Sequence, residues 1–95
     1  MKNNFKPLAS ILQKVVHNNH LEDEYKLHLL QQEWQDIVGP QITNNAKPYS
    51  IEGKGLTLEV QSIEWKEEIR KDSSEIIKKI NNYSDDFKIE YINII

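Results

Sequence analysis

Hydrophobic residues recur along the chain with two different periods, and the change between them divides it. Leu8, Ile11, Leu12, Val15 and Val16 fall at i, i+3, i+4, i+7 and i+8, the spacing of one apolar stripe on a helix. Pro7 stands at the first turn of that helix, where its missing N–H costs nothing. "HNNH" at 17–20 ends the run, because asparagine favours caps and turns. A second helix is predicted from about Leu21, with Glu22, Asp23 and Glu24 in the first turn, where the helix dipole favours negative charge. Tyr25 and Leu29 lie on one stripe, and Leu30, Trp34, Ile37 and Val38 continue an adjacent one. Gly39 and Pro40 interrupt the pattern, and Pro40 is placed to begin a short helical turn through Ile42.

The period then drops to two. In "KPYSIEGKGLTLEVQS", Tyr49 and Ile51 alternate with Ser50 and Glu52, and Leu56, Leu58 and Val60 alternate with Thr57, Glu59 and Gln61. Gly53-Lys54-Gly55 between them predicts a β-hairpin with a short loop, and the alternation implies one buried face and one wet face. Ser62 is a plausible cap for a third helix with Glu64 in its first turn. Trp65, Ile69, Ile76 and Ile80 form the core stripe of that helix, supported by Ile77 and Ile63. "NNYSDD" at 81–86 reads as a loop and "FKIEYINII" as a third strand. Phe87, Ile89 and Tyr91 alternate in its first half, while Ile92, Ile94 and Ile95 are apolar on both parities. The end of that strand is therefore either covered twice or an edge that invites a partner.

The order is α-α-β-β-α-β, an α+β domain with a three-stranded sheet and helices packed on one face. If the link from the second strand through the long helix is a crossover, it should be right-handed. No repeat, low-complexity tract or linker divides the 95 residues. They read as one domain: a basic N-terminal helix region at 1–20 and a core at 21–95. Trp34 and Trp65 both sit on apolar stripes, so both indoles are expected in the core, with Trp34's polar neighbours marking the outer side of its helix.

Composition changes this picture in a few places. Leu, Ile, Val and Phe supply 27 of the 95 residues, enough for a folded core. There is no cysteine, so disulfides and thiolate metal sites are excluded and a cytoplasmic setting is expected. No apolar run is long enough to span a membrane, and "MKNNFKPLAS" does not lead into the apolar stretch of a signal peptide. Net charge is −3, unlike a typical nucleic-acid binder. The charge is uneven: Lys2, Lys6 and Lys14 face no acid before residue 21. Any phosphate contact must be local.

Candidate chemistry is sparse. His17, His20 and His28 lack a metal-site spacing and read as solvated. Ser73 and Ser74 have no partner arrangement for a nucleophile, and the glycines do not precede a helix as a phosphate loop requires. The pattern indicates no enzyme, no cofactor, no metal and no small-molecule substrate. Lys66, Arg70, Lys71, Lys78 and Lys79 lie off the core stripe of the third helix, among Glu67, Glu68 and Glu75. They read either as a salt-bridged, solvated face or as a nucleic-acid contact.

One ordered set of residues adds more. "EWQDIVGPQI", then "AKPYSIEGKGLTLEVQSIEWKEEI" and "IIKKIN", resembles the DciA family of bacteria. Trp34, Ile37, Val38, Gly39, Pro48, Gly53, Leu56, Leu58, Val60, Ser62 and Trp65 carry the likeness, which runs from about Leu29 to Ile92. Of these, Trp34, Gly39, Pro48, Gly53 and Trp65 read as structural. The resemblance implies a fold similar to K-homology domains and a role in DNA replication: binding the replicative helicase, helping to load it, and some affinity for single- or double-stranded DNA. Tyr91, Ile92 and Ile94 at the end of the last strand, and the spare face of the first helix, are the candidate partner surfaces. A nucleic-acid-binding module without a helicase partner is the alternative reading. A scaffold that self-associates through its last strand is a third.

Overall fold

The computed structural model describes residues 19–95, with side chains from residue 21 onward. The predicted first helix, Lys2, Lys6, Lys14 and His17 lie outside the described residues. The elements run α1 (Asn19–Val38), α2 (Pro40–Asn45), β1 (Ala46–Glu52), β2 (Gly55–Val60), α3 (Ile63–Lys71), α4 (Ser73–Tyr83) and β3 (Tyr91–Ile94). The sheet has the order β1-β2-β3, with β1 antiparallel and β3 parallel to the central β2. This is the α+β architecture with a three-stranded sheet expected from the pattern.

Burial follows the period-two reading in β2, where Leu56, Leu58 and Val60 are buried while Glu59 is exposed. Helices cover the inner face. α1 lies against β1, α3 against β2 and α4 against β3. Leu29, Leu30, Trp34, Ile37 and Val38 of α1 join Ile69, Ile76 and Ile80 of α3 and α4, and Phe87 and Ile89, in one core with the strand residues. Gly39 and Gly53 have φ of 89° and 62°, a region that side-chain-bearing residues rarely enter. The first lets the chain turn from α1 into α2. The second, followed by Lys54, closes the hairpin in the manner of a turn with positive φ at its first central residue only.

Several expectations need correction. First, Tyr49 does not share a face with Ile51. The ladder pairs Pro48 with Leu58 and Ser50 with Thr57, which leaves Tyr49 as an extra residue. This β-bulge inverts the parity of the strand, so Tyr49 is 58 % exposed and Pro48 is buried instead. Proline has no N–H to give a ladder, and it is tolerated here because β1 is an edge strand. Second, the loop is two residues long, and Gly55 pairs with Glu52 as the first residue of β2.

Third, the long third helix is two helices meeting at Asp72, whose φ and ψ are −92° and 7°. The Ser73 hydroxyl donates to the Ile69 carbonyl at 3.0 Å, a back-bond that commonly bends helices. Helix α4 also continues to Tyr83, into the span expected to be a loop. Ile63, expected to support the core stripe, is 75 % exposed. Fourth, β3 begins only at Tyr91. Phe87 and Ile89 are buried as their alternation suggests, but among the described residues no strand pairs with them. Asn81 takes that place: its amide donates to the Ile89 carbonyl and its oxygen accepts from the Ile89 N–H, both at 2.9 Å. Alternation reports burial, and burial does not require a ladder.

Candidate interaction surfaces

Ser62 caps α3, as its position suggested. Its hydroxyl accepts from the Trp65 N–H at 3.2 Å and donates to the Glu64 carboxylate at 2.9 Å. The Glu64 carboxyl sits below the usual carboxylate range, chiefly because its own backbone N–H bonds to it and then because Ser62 does. A first-turn acid also meets the positive end of the helix dipole. Between α2 and α3 lies an open cleft of about 340 Å³, lined by Gln41, Ile42, Glu64, Trp65, Glu68 and Asp72. Trp65 is half-buried and packs against the core from this side. Glu64, Glu68 and Asp72, at successive four-residue spacings, line the same cleft with carboxylates, so this flank of α3 repels phosphate.

Trp34 is 3 % exposed and its indole N–H donates to the Ala46 carbonyl at 2.8 Å. Gln31, one turn earlier, donates to the Pro48 carbonyl at 3.2 Å. Helix α1 therefore does more than bury apolar surface. It satisfies the backbone of an edge strand. Gly39 lies at the joint between α1 and α2, Pro48 at a buried edge position and Gly53 in the hairpin turn.

The basic residues are divided between two helices. Arg70 pairs with Glu67 at 3.1 Å on the same helix, Lys66 is half-buried, and Lys71, Lys78 and Lys79 are exposed. The seven-residue spacing of Lys71 and Lys78 would align them on one continuous helix. The break at Asp72 puts Lys71 at the end of α3 and Lys78 and Lys79 in α4. Among the described residues no group of three or more His, Asp or Glu could hold a metal ion, and no helix is long and apolar enough to cross a membrane.

Strand β3 divides the three residues singled out as a partner surface. Ile92 pairs with Leu56 and Ile94 with Leu58, so their side chains join the inner face and pack on the core, half-buried. Tyr91 pairs with Gly55 on the outer face and is 52 % exposed. Its ring lies over Gly55 so closely that a Cβ there would come within 2.5 Å of ring carbons. A glycine inside an alternating strand is the signal that marks such a close approach. In the sequence Gly55 stands in the Gly53-Lys54-Gly55 triplet, where a loop accounts for it equally well. Asn81, which holds Ile89, carried no signal that periodicity could detect.

A protein-family model described as "Dna[CI] antecedent, DciA" matches residues 7–94. The chain belongs to the DciA family. That match extends the likeness drawn from Leu29 to Ile92 over nearly the whole chain. DciA proteins are associated with the replicative helicase, and the family is one of helicase loaders rather than of enzymes. No curated protein matches this DciA-family chain. The motif residues of the family likeness are here accounted for by caps, turns and core packing, so membership places the chain in a process without itself marking a contact surface.

Proposed function

We propose that this chain is a non-enzymatic, cytoplasmic adaptor of DNA replication that binds the replicative helicase and assists its loading. The observation that carries the reading is the family match over residues 7–94. The surfaces described above support an adaptor: they are open, shallow and spread over several elements. The end of β3 is the proposed contact: Tyr91 offers its exposed ring from the outer face, beside Ile92 and Ile94, whose side chains are half-buried. The test is a calorimetric titration of the full chain into the same organism's helicase, with and without single-stranded DNA. Micromolar or tighter binding is expected, and no heat at those concentrations overturns the reading.

The nucleic-acid module is the second reading, and the exposure of Lys71, Lys78 and Lys79 favours it. These lysines have no ion-pair partner among the described residues. A separate titration of the full chain into single-stranded DNA alone decides it: salt-sensitive binding to DNA with none to helicase would replace the first reading with the second.

A further inference from the structure

We infer that β3 pairs with the β3 of a second copy of this chain, in antiparallel register centred on Asn93. The inference goes beyond the helicase reading and does not rest on it.

The two edges of the sheet are unlike. At β1 the edge is closed. Pro48 has no N–H, Tyr49 bulges out of the ladder, and α1 side chains occupy the Ala46 and Pro48 carbonyls. These are devices that keep strand edges from pairing. At β3 they are missing. Residues 91–95 contain no charged side chain and no proline.

The direction of the backbone groups in β3 follows from its last bonds. The Ile95 N–H donates to the Leu58 carbonyl at 3.0 Å, and the Ile95 carbonyl accepts from the Val60 N–H at 3.1 Å. Ile95 thus turns both groups toward β2. Alternation along the strand turns those of Asn93 and Tyr91 the same way, and those of Ile92 and Ile94 outward. No partner for these outward groups occurs among the described residues.

One antiparallel register satisfies them. Centred on Asn93, it sets Ile92 opposite the second copy's Ile94, each exchanging both N–H···O bonds, since both turn their backbone outward. Tyr91 then faces Ile95, and Asn93 faces Asn93, at the non-hydrogen-bonded positions where side chains lie closest. Tyr91 and Ile95 are the exposed apolar residues of this segment, at 52 % and 50 %, and an aromatic–β-branched pair is favourable across strands. Because the strand has no charged side chain, the twofold brings no like side-chain charges together. A segment that complements itself in backbone direction, apolar exposure and charge selects a copy of itself as occupant.

Sedimentation velocity on the full chain without helicase tests this. The wild type should show a concentration-dependent dimer. Asn93→Lys and Asn93→Glu each place like charges opposite each other and should raise the dimer dissociation constant about tenfold or more. Asn93 is exposed, so the circular dichroism melts should not move. An equimolar mixture of the two variants should recover association, because opposite charges then meet. A wild type that stays monomeric up to roughly millimolar concentration overturns the inference, as do variants that dimerise as well as the wild type. A monomeric wild type whose helicase binding is lost in both variants would give the edge to the helicase instead.

Discussion

Trp34 carries two jobs that a smaller aromatic would separate. Its ring fills the space between α1 and the inner sheet face, and its N–H reaches the Ala46 carbonyl at 2.8 Å. Replacing it with phenylalanine keeps most of the apolar contact and strands a buried acceptor. Trp34→Phe should therefore cost about 1–3 kcal/mol, read as a lower urea midpoint with an unchanged slope. Tyr91 and Gly55 show the opposite relation, in which the absence of a side chain at one residue permits the position of another. Glu64 shows how little burial is needed to perturb a carboxyl when a capping serine and a helix N-terminus converge on it.

Among the elements, the segment between α4 and β3 departs furthest from regular structure, and it is held by Asn81. Both backbone groups of Ile89 are satisfied by one amide side chain, which does for this extended stretch what a neighbouring strand would do. Asn81→Asp preserves the shape and the bond from the Ile89 N–H. It also sets a carboxylate oxygen against the Ile89 carbonyl. A loss of roughly 1–3 kcal/mol is expected at neutral pH, with faster hydrogen exchange at the Phe87–Ile89 amides than in β2. Partial recovery at low pH should follow, because a protonated acid regains a donor. The joint at Asp72 has a similar local origin, in a residue that favours helix ends followed by a serine bonded back to Ile69.

Across the whole molecule, Tyr83 at the end of α4 ties that helix to α1 by a short hydrogen bond from its hydroxyl to Glu33. The Tyr83 pKa is pushed from its ordinary 10.0 up to about 12, first by that bond, then by desolvation and the charges of Glu33 and Asp36. A raised folded-state pKa means the unfolded chain loses this proton first. The contribution of Tyr83 to stability is therefore whole below pH 10 and is lost as pH rises toward 12. Spectrophotometric titration should show a phenolate appearing near pH 12 that moves toward 10 in Glu33→Gln. In that variant the alkaline fall in stability should flatten over the same range.

Periodicity alone determined most of the element order, the inner face of β2, the buried indole of Trp34 and the cap at Ser62. Each of these depends on neighbours a few residues away, where helix and strand geometry fix which side chains share a face. The ordered motif set likewise placed the chain in its family, because spacing survives in a linear string. Only the tertiary structure decided that Tyr49 faces outward, that Ile89 is paired by a side chain, that β3 runs parallel to β2, and that among the described residues one sheet edge is closed while the other has no partner. Those outcomes rest on partners far along the chain: Leu58 and Thr57 for the bulge, Asn81 for Ile89, and Trp34 and Gln31 for the edge of β1. A hydrophobic pattern states that a residue will be buried, but the identity of the group that meets it is settled only when distant segments are brought together.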